Sequence, residues 1–393
     1  MKYIDRSALA YCVLCSYLLT WPLAASAVET RGYIGVDTRY FSESQDMQAS
    51  LYIEPEWYWE SDAGNSALTF KPYRRIDSLD SERSHTDIRE LFWQYAADTW
   101  ELRAGINKIY WGVTESQHLV DIINQTDQLE GVDGEDKLGQ PMVQLTLIRD
   151  WGVIDTFVLP YFRARKFPSN DGHFCLPLEF NNQARYEARN EENHTDLALR
   201  YSHNLGDWDL GLSYFRGTNR DPQLHPNLSG TELAAYYSQI EQVGIDLQAT
   251  KGAWLWKWES IYRTENLTDY SAISTGFEYT FYGLAQSATD LGILVEINYD
   301  SRQADASTPA QKDIFIGGRL TPNDEQSSEL LFGISQDLDE NSSHALKLEA
   351  NRRLGSRYKI ALEGWIFASD IPSDPIYLWR DQDFIQLSLD YYF

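Results

Sequence analysis

The sequence predicts an all-β fold, an antiparallel transmembrane β-barrel, and three observations support this. Segments of roughly ten residues alternate apolar and polar side chains along most of the chain, which is the pattern of a membrane β-barrel. Very short and much longer connections alternate between these segments. Aromatic residues gather near segment ends, as at Trp57 and Trp59, which is typical of girdles at the two lipid–water interfaces. A soluble β-sandwich is the alternative, but it needs only a handful of short strands.

Residues 1–27 have the features of a secretory signal peptide. A basic start precedes a mostly apolar run, and Ala25 and Ala27 form a small-residue cleavage site. The apolar run is shorter than the ~20 residues that a membrane-spanning helix needs. We therefore expect residues 28–393 to form the mature barrel, located in the outer membrane of a Gram-negative bacterium.

Composition limits the partners that the chain can have. It carries 33 lysines and arginines against 59 aspartates and glutamates, a formal charge of −26, which argues against nucleic acid as a partner. Two of the three cysteines lie in the predicted signal peptide, so Cys175 remains alone and no intrachain disulfide is expected. The expected partners are outer-membrane lipids, the barrel-assembly machinery and a small hydrophilic solute. A monomer and a trimer both fit the sequence.

The alternating segments predict about 18 strands, joined by short periplasmic turns and long external loops. Bacterial single-chain barrels have even strand counts, so residues 231–250 are predicted as one long strand rather than two strands divided near Glu241. The predicted strands are residues 31–41, 48–60, 65–76, 85–97, 100–111, 140–149, 153–162, 194–204, 207–217, 231–250, 253–264, 269–282, 290–302, 312–320, 327–336, 343–353, 357–368 and 383–393.

The last segment, residues 383–393, is predicted to close the barrel. Only a closed barrel leaves no unpaired strand edge in lipid, so this segment should pair with the first strand near residues 33–41. A terminal aromatic residue after alternating apolar residues resembles the sorting signal of outer-membrane barrels. The resemblance implies that Tyr391 and Phe393 serve barrel closure and assembly.

The most distinctive connection is the third external loop, residues 112–139. Gly105 and Trp111 precede the loop, and Gly112 is its first residue. Within it Asp121, Asn124 and Asp127 follow one another at intervals of three. This string resembles porin-like outer-membrane barrels, among them the alginate-export barrels and a related porin-like family of unknown function, although Gln125 stands where a proline is expected. The resemblance implies a porin-like barrel whose third loop folds inward as a constriction. The constriction residues it implies are Trp111, Gly112, His118, Asp121, Asn124 and Asp127.

The middle of this loop, about residues 115–124, is predicted to form a short helix. Thr114 would be its N-cap, and an apolar side at Leu119, Ile122 and Ile123 would rest on the barrel wall. The polar side, with Asp121, Asn124 and Asp127, would then face the pore. A surface loop that packs only on its neighbours is the alternative.

Strand parity places a mixture of basic and acidic side chains in the lumen, among them Lys347, Glu259 and Glu296, which indicates no clear ion preference. Four residues on strands near the proposed constriction loop are the first candidates for lining the pore. Three of them are basic and are expected to contact an anionic solute. These candidates are Lys71, Arg75, Arg103 and Asn107.

The function that the sequence favours is a channel for passive or substrate-selective diffusion of small hydrophilic solutes. None of the seven histidines lies in a motif with a nucleophile, so no catalytic residue and no enzymatic activity are predicted. An acidic run in the third loop lacks the fixed spacing of a calcium loop, so neither metal nor cofactor is predicted, with calcium binding as the alternative. An outer-membrane enzyme or binding receptor that acts through its external loops is the second function.

Overall fold

The computed structural model describes residues 28–265, 268–306 and 308–393, so the predicted signal peptide, residues 1–27, lies outside the described part. Within these ranges the dominant element is one antiparallel sheet of 18 strands. A separate sheet of three strands lies among the long connections. In the same ranges no helix is long and apolar enough to cross a membrane.

The strands follow the predicted order along the chain. β8, β11 and β12 form the small sheet. Each strand of the large sheet pairs with the next wall strand along the chain, so β7 pairs with β9 and β10 pairs with β13. The strands are β1 Glu29–Phe41, β2 Met47–Glu60, β3 Ser66–Asp77, β4 Thr86–Ala97, β5 Trp100–Asn107, β6 Gln140–Arg149, β7 Gly152–Leu159, β8 Glu179–Tyr186, β9 Asp196–Leu205, β10 Trp208–Thr218, β11 Gln223–Pro226, β12 Glu232–Tyr237, β13 Gln239–Lys251, β14 Trp254–Glu265, β15 Thr268–Phe281, β16 Asp290–Asp300, β17 Lys312–Thr321, β18 Glu329–Asp337, β19 His344–Leu354, β20 Tyr358–Ala368 and β21 Phe384–Tyr392. Short 3-10 turns lie at Glu191–Asn193, Leu284–Gln286, Gln303–Asp305 and Pro375–Trp379.

The two faces of the large sheet have opposite chemistry. In β1 the apolar side chains of Ile34 and Val36 are 42% and 48% exposed, whereas the polar side chains of Asp37 and Arg39 are buried. Successive residues of a strand point to opposite faces, so the alternation puts apolar groups outside and polar groups inside. This is the reverse of a soluble protein, and it suits a wall that has lipid on one side and a polar lumen on the other.

The first and last strands pair, as the sequence predicts. The register runs from Tyr33 opposite Tyr392 to Phe41 opposite Phe384. Just beyond these pairs, Phe393 N–H donates to the Gly32 carbonyl at 3.0 Å, and Gly32 N–H donates to the Phe393 carbonyl at 3.2 Å. The sheet is therefore a closed barrel whose wall leaves no strand edge unpaired in the described residues.

The predicted long strand over residues 231–250 is divided, so that prediction was wrong in detail. β12 lies outside the barrel wall and ends at Tyr237. It pairs in parallel with β8 and antiparallel with β11. Tyr237 is fully buried, with its ring centroid 4.7 Å from that of Phe162. The packing of these two rings holds the end of β12 in the small sheet. The next strand, β13, starts at Gln239 and belongs to the wall. The number of wall strands is still even because β12 belongs to the small sheet. The predicted 18-strand barrel is thus confirmed for the described residues.

Candidate functional site: a loop across the barrel

The connection between β5 and β6, residues 108–139, lies inside the barrel, and we call it the crossing loop. Glu259 of β14 accepts hydrogen bonds from the backbone N–H groups of Val113 at 2.6 Å, Thr114 at 3.0 Å and Val120 at 3.2 Å. β14 is not a neighbour of β5 in the sheet, so the chain crosses the lumen to reach it. Hydrogen bonds to a carboxylate are stronger than neutral ones, which makes Glu259 a firm anchor.

A second anchor lies on β16 and β17. Glu296 of β16 accepts from the backbone N–H groups of Glu115 at 2.9 Å and Ser116 at 2.8 Å, and from the Ser116 hydroxyl at 2.7 Å. Arg319 of β17 donates to the Glu115 carboxylate at 2.7 Å. The two strand carboxylates thus take several backbone N–H groups of residues 113–120 as donors.

The helix predicted for the middle of the loop is absent. Residues 115–124, all of which the structure describes, contain no helical turn, so the helix prediction was wrong. Thr114 does not cap a helix; its hydroxyl lies 2.6 Å from the Gln117 carbonyl and 2.8 Å from Glu259. Of the N–H groups that the wall carboxylates bind, that of Val120 would pair within such a helix, and here it donates to Glu259 instead.

The apolar side of the loop rests on the wall, as the sequence predicts. Ile122 and Ile123 are buried in one cluster with Phe157 of β7, and Leu119 packs against that cluster. Trp111 is 4% exposed and belongs to the same cluster, with its ring centroid 5.7 Å from that of Phe157. Removing these groups from water fixes the loop against the β6 to β15 side of the barrel.

The returning half of the loop docks on a basic cluster of β1, β3 and β4. Arg75 donates to Glu130 at 2.7 Å and to Asp37 of β1 at 2.6 Å, and Arg89 pairs with Asp127. Arg39 donates to the Glu130 carbonyl at 2.8 Å. These partners are buried, and breaking a buried ion pair leaves an uncompensated charge, so the contact resists opening.

Glu130 is the centre of this contact and stays charged. Burial raises the pKa of its carboxyl, but Arg75, Arg89 and Arg83 outweigh burial and lower the pKa to about 2. His85, Asp127 and Glu130 place ligand atoms within 4.8 Å of one another, a spacing that metal sites also have. The surrounding arginines already neutralise both carboxylates and would repel a dication, so the cluster reads as a structural ion-pair network.

The polar residues of the motif are buried and bonded mostly within the loop, and Asp121 and Asn124 also line the cavity on the side of the long connections. Asn124 is buried; its Oδ1 accepts from Ile109 N–H at 2.9 Å, and its Nδ2 donates to the carbonyls of Asn107 at 2.9 Å and Leu138 at 2.8 Å. It thereby joins the two ends of the loop. The bond to Ile109 also ends β5 at Asn107, earlier than the predicted residue 111.

The two aspartates of the motif are likewise buried and paired. The Asp121 carboxylate accepts from Trp111 N–H at 3.3 Å and lies 3.1 Å from the Lys137 ammonium. Asp127 pairs with Arg89. Hydrogen bonds and a cation thus compensate the desolvation of each buried carboxylate, and a role of either aspartate in the pore stays a prediction.

Gly112 and His118 take local roles in the loop. Gly112 has φ +131°, a conformation that favours glycine, and a Cβ there would lie 2.8 Å from Glu259 Oε1. His118 lies 2.9 Å from the Tyr110 hydroxyl through its Nδ1. Glycine therefore permits the close approach of the loop to its Glu259 anchor.

Of the four pore-lining candidates, the structure brings Arg75 and Asn107 to the loop. Lys71 lies away from the loop, between Glu56 at 3.4 Å and Glu90 at 3.2 Å, and Arg103 lies 3.4 Å from Glu101. All three basic residues are thus paired with acids of the wall or of the loop. Their expected role with an anionic solute stays a prediction.

Two cavities lie on either side of the loop tip, residues 131–136, and share lining residues there. The vestibule, of about 490 Å³, lies towards the long connections, and the chamber, of about 600 Å³, lies below the tip among β1 to β4 and β19 to β21. Gly131, Asp133 and Glu135 line both cavities. At this junction the Lys347 ammonium of β19 lies 3.2 Å from Asp133 and 3.5 Å from Glu135. The loop tip is therefore in contact with β19 between the two cavities.

Sequence reasoning did not single out this junction. Strand parity alone identified Lys347 as a lumen residue, and Asp133 and Glu135 stood only in an acidic run. Which lumen residue meets which loop residue depends on how the loop crosses the barrel. Glu259 and Glu296 were found in the lumen by parity as well, but nothing in the sequence marks them as acceptors for loop N–H groups.

Comparison with known proteins gives likeness of fold only. No protein-family model and no curated protein matches the chain. The solved structure of OmpT, an outer-membrane protein of Vibrio cholerae in trimer form, is 11% identical over 93% of this chain and 99% of that chain, with a TM-score of 0.46. Salmonella typhi OmpF in complex with daunomycin is 9% identical over 93% of this chain and 97% of that chain, with a TM-score of 0.49. A mutant of the Rh. blastica porin is 11% identical over 93% and 100%, with a TM-score of 0.44.

These values carry no functional argument, and the class follows from the barrel itself. A closed antiparallel wall of 18 strands, apolar outside and polar inside, is the arrangement that satisfies backbone hydrogen bonds in lipid. In its described residues the chain is a closed transmembrane β-barrel of 18 antiparallel strands.

Proposed function

We propose that this protein is a diffusion channel for small hydrophilic solutes, narrowed by the crossing loop. The observation that carries the proposal is the junction of two cavities at residues 131–136, one open to the long connections and one among the lumen side chains. A barrel of this strand count is wide enough for an aqueous passage. A loop tied to β3, β4, β14, β16 and β19 from inside leaves only part of that width open.

Single-channel conductance in planar bilayers tests the proposal. We expect the mature protein to form stable channels, and a variant with residues 115–133 replaced by a short Gly-Ser linker to conduct about twofold more or better, because the obstruction is removed. The same variant should discriminate less between small and large neutral solutes in liposome-swelling assays.

The matched control shortens residues 227–231, an exposed turn of the small sheet that does not touch the crossing loop. Its conductance should equal that of the unaltered protein. If the linker variant inserts normally and conducts like the unaltered protein, the loop is not a constriction. Absence of any conductance in correctly folded protein would favour the receptor or enzyme function instead.

A further inference from the structure

The chamber has a strong excess of negative charge. Nine acidic and four basic side chains line it, whereas seven acidic and six basic side chains line the vestibule. The excess is therefore a local property of the space below the loop tip and does not simply repeat the overall acidity of the chain.

The basic residues of the chamber are also the less available ones. Arg75 and Arg89 are buried and bound to Asp37, Glu130 and Asp127, so their charges are already compensated. Only two basic side chains of the chamber have no acidic partner within 4.0 Å among the described residues. These two are Lys108 and Lys359.

Four acidic side chains of the chamber likewise have no ion-pair partner among the described residues. In the described part of the chain none of them has a basic partner within 4.0 Å. Glu363 accepts from the Trp365 indole N–H at 2.9 Å, and Asp390 accepts from the Tyr52 hydroxyl at 2.7 Å, which are neutral donors. The four acids are Glu54, Asp136, Glu363 and Asp390.

The junction at the loop tip adds to this excess. Lys347 is shared by three carboxylates, at 3.2 Å from Asp133, 3.5 Å from Glu135 and 2.8 Å from Glu349. One ammonium group cannot neutralise three carboxylates, so the entrance to the chamber is negative as well. An ammonium group of a solute can donate hydrogen bonds to carboxylate oxygens of the same kind in the chamber.

We infer that the passage past the loop tip prefers cationic solutes, inorganic cations and small molecules with an ammonium group, over anions of similar size. The inference rests on the proposed channel function. Charges of one sign in a narrow lumen set ion selectivity, and low-dielectric walls focus their field on the permeating ion. A chamber of this size keeps every ion within about one Debye length, roughly 8 Å at physiological ionic strength, of these carboxylates.

The reversal potential in a KCl gradient across a planar bilayer tests the inference. We expect potassium to permeate better than chloride. The double variant Glu363→Gln/Asp390→Asn removes two free charges but keeps the hydrogen-bonding shape, so the permeability ratio should fall by about twofold or more. Methylammonium should carry current in place of potassium.

Two further variants keep the test decisive. Glu43→Gln, an exposed acid in the connection after β1, should leave the ratio unchanged. Lys359→Met removes an unpaired cation from the chamber and should raise the potassium-to-chloride permeability ratio. This variant tests the inference even if the double variant does not fold.

The outcomes separate the two proposals. A conducting protein that prefers chloride, shows no preference, or keeps its full ratio in the double variant overturns the cation inference alone. A folded protein that forms no channels overturns the proposed function, and the inference with it.

Discussion

At the residue scale, Asp136 makes the charge of the passage depend on pH. The residue lies deep inside the barrel, which raises the pKa of its carboxyl, and Glu130, Asp133 and Asp127 raise it further to about 7, with Arg89 opposing. Its side chain nevertheless reaches the water of the chamber. A permeating ion therefore meets a carboxylate above that pH and a neutral acid below it.

We predict that lowering the pH from about 8 to about 6 weakens the cation preference, because Asp136 takes up a proton across its raised pKa. Reversal potentials recorded through this range measure the effect. Asp136→Asn should show the weaker preference throughout and lose this step. A step of unchanged size in that variant would assign the titration to another group.

At the element scale, the last strand holds the barrel closed through its backbone, while its terminal side chain faces outwards. Phe393 exchanges two hydrogen bonds with Gly32, and its ring is 45% exposed at the end of the barrel that carries the short turns. A charge at such an interfacial position costs only about 0 to 1 kcal/mol of barrel stability. A large effect of a charge there would thus come from recognition during assembly.

We predict that Phe393→Asp lowers the amount of protein in the outer membrane several-fold while export across the inner membrane continues. Quantitative blotting of membrane fractions measures this. Phe281→Asp is the matched control, an outward aromatic residue that is 50% exposed at the end of β15, and it should insert normally. Equal loss in both variants would point to lipid-facing charge, and no loss in either would refute a signal at Phe393.

At the scale of the whole molecule, the barrel encloses its backbone hydrogen bonds completely. Each of the 18 wall strands pairs on both sides in the described residues, and the first pairs with the last. Such a closed ladder opens only as a unit, because breaking one pair exposes an edge to lipid or detergent. Ion pairs link the crossing loop to β3 through Glu130 and Arg75 and to the distant strand β17 through Glu115 and Arg319, so the loop ties separate parts of the wall together from inside.

We predict that the mature protein in detergent migrates faster on gels before heating than after heating, since the unheated barrel stays closed and compact in SDS. Electrophoresis of paired samples is sufficient. The linker variant over residues 115–133 should keep this behaviour but lose the fast form at a lower temperature, because the internal ties are gone. A soluble, detergent-independent monomer would contradict the membrane barrel.

The sequence by itself determined the wall of this protein. Strand faces, the even count and the closing pair follow from a period-two pattern and from the rule that no backbone group stays unpaired in lipid, both of which are local or topological. Even the division of residues 231–250 left them unchanged, because β12 lies outside the wall.

Only the tertiary structure decided the interior. The path of the crossing loop depends on Glu259, Glu296, Arg75 and Lys347, which lie far from it in sequence and act on it only once the barrel has closed. The sequence of the loop suggested a helix, but residues 115–124 form none, and Asp121 pairs with Lys137 of the same loop. In a polar lumen such long-range ion pairs outweigh local propensity, and no single segment of sequence records them.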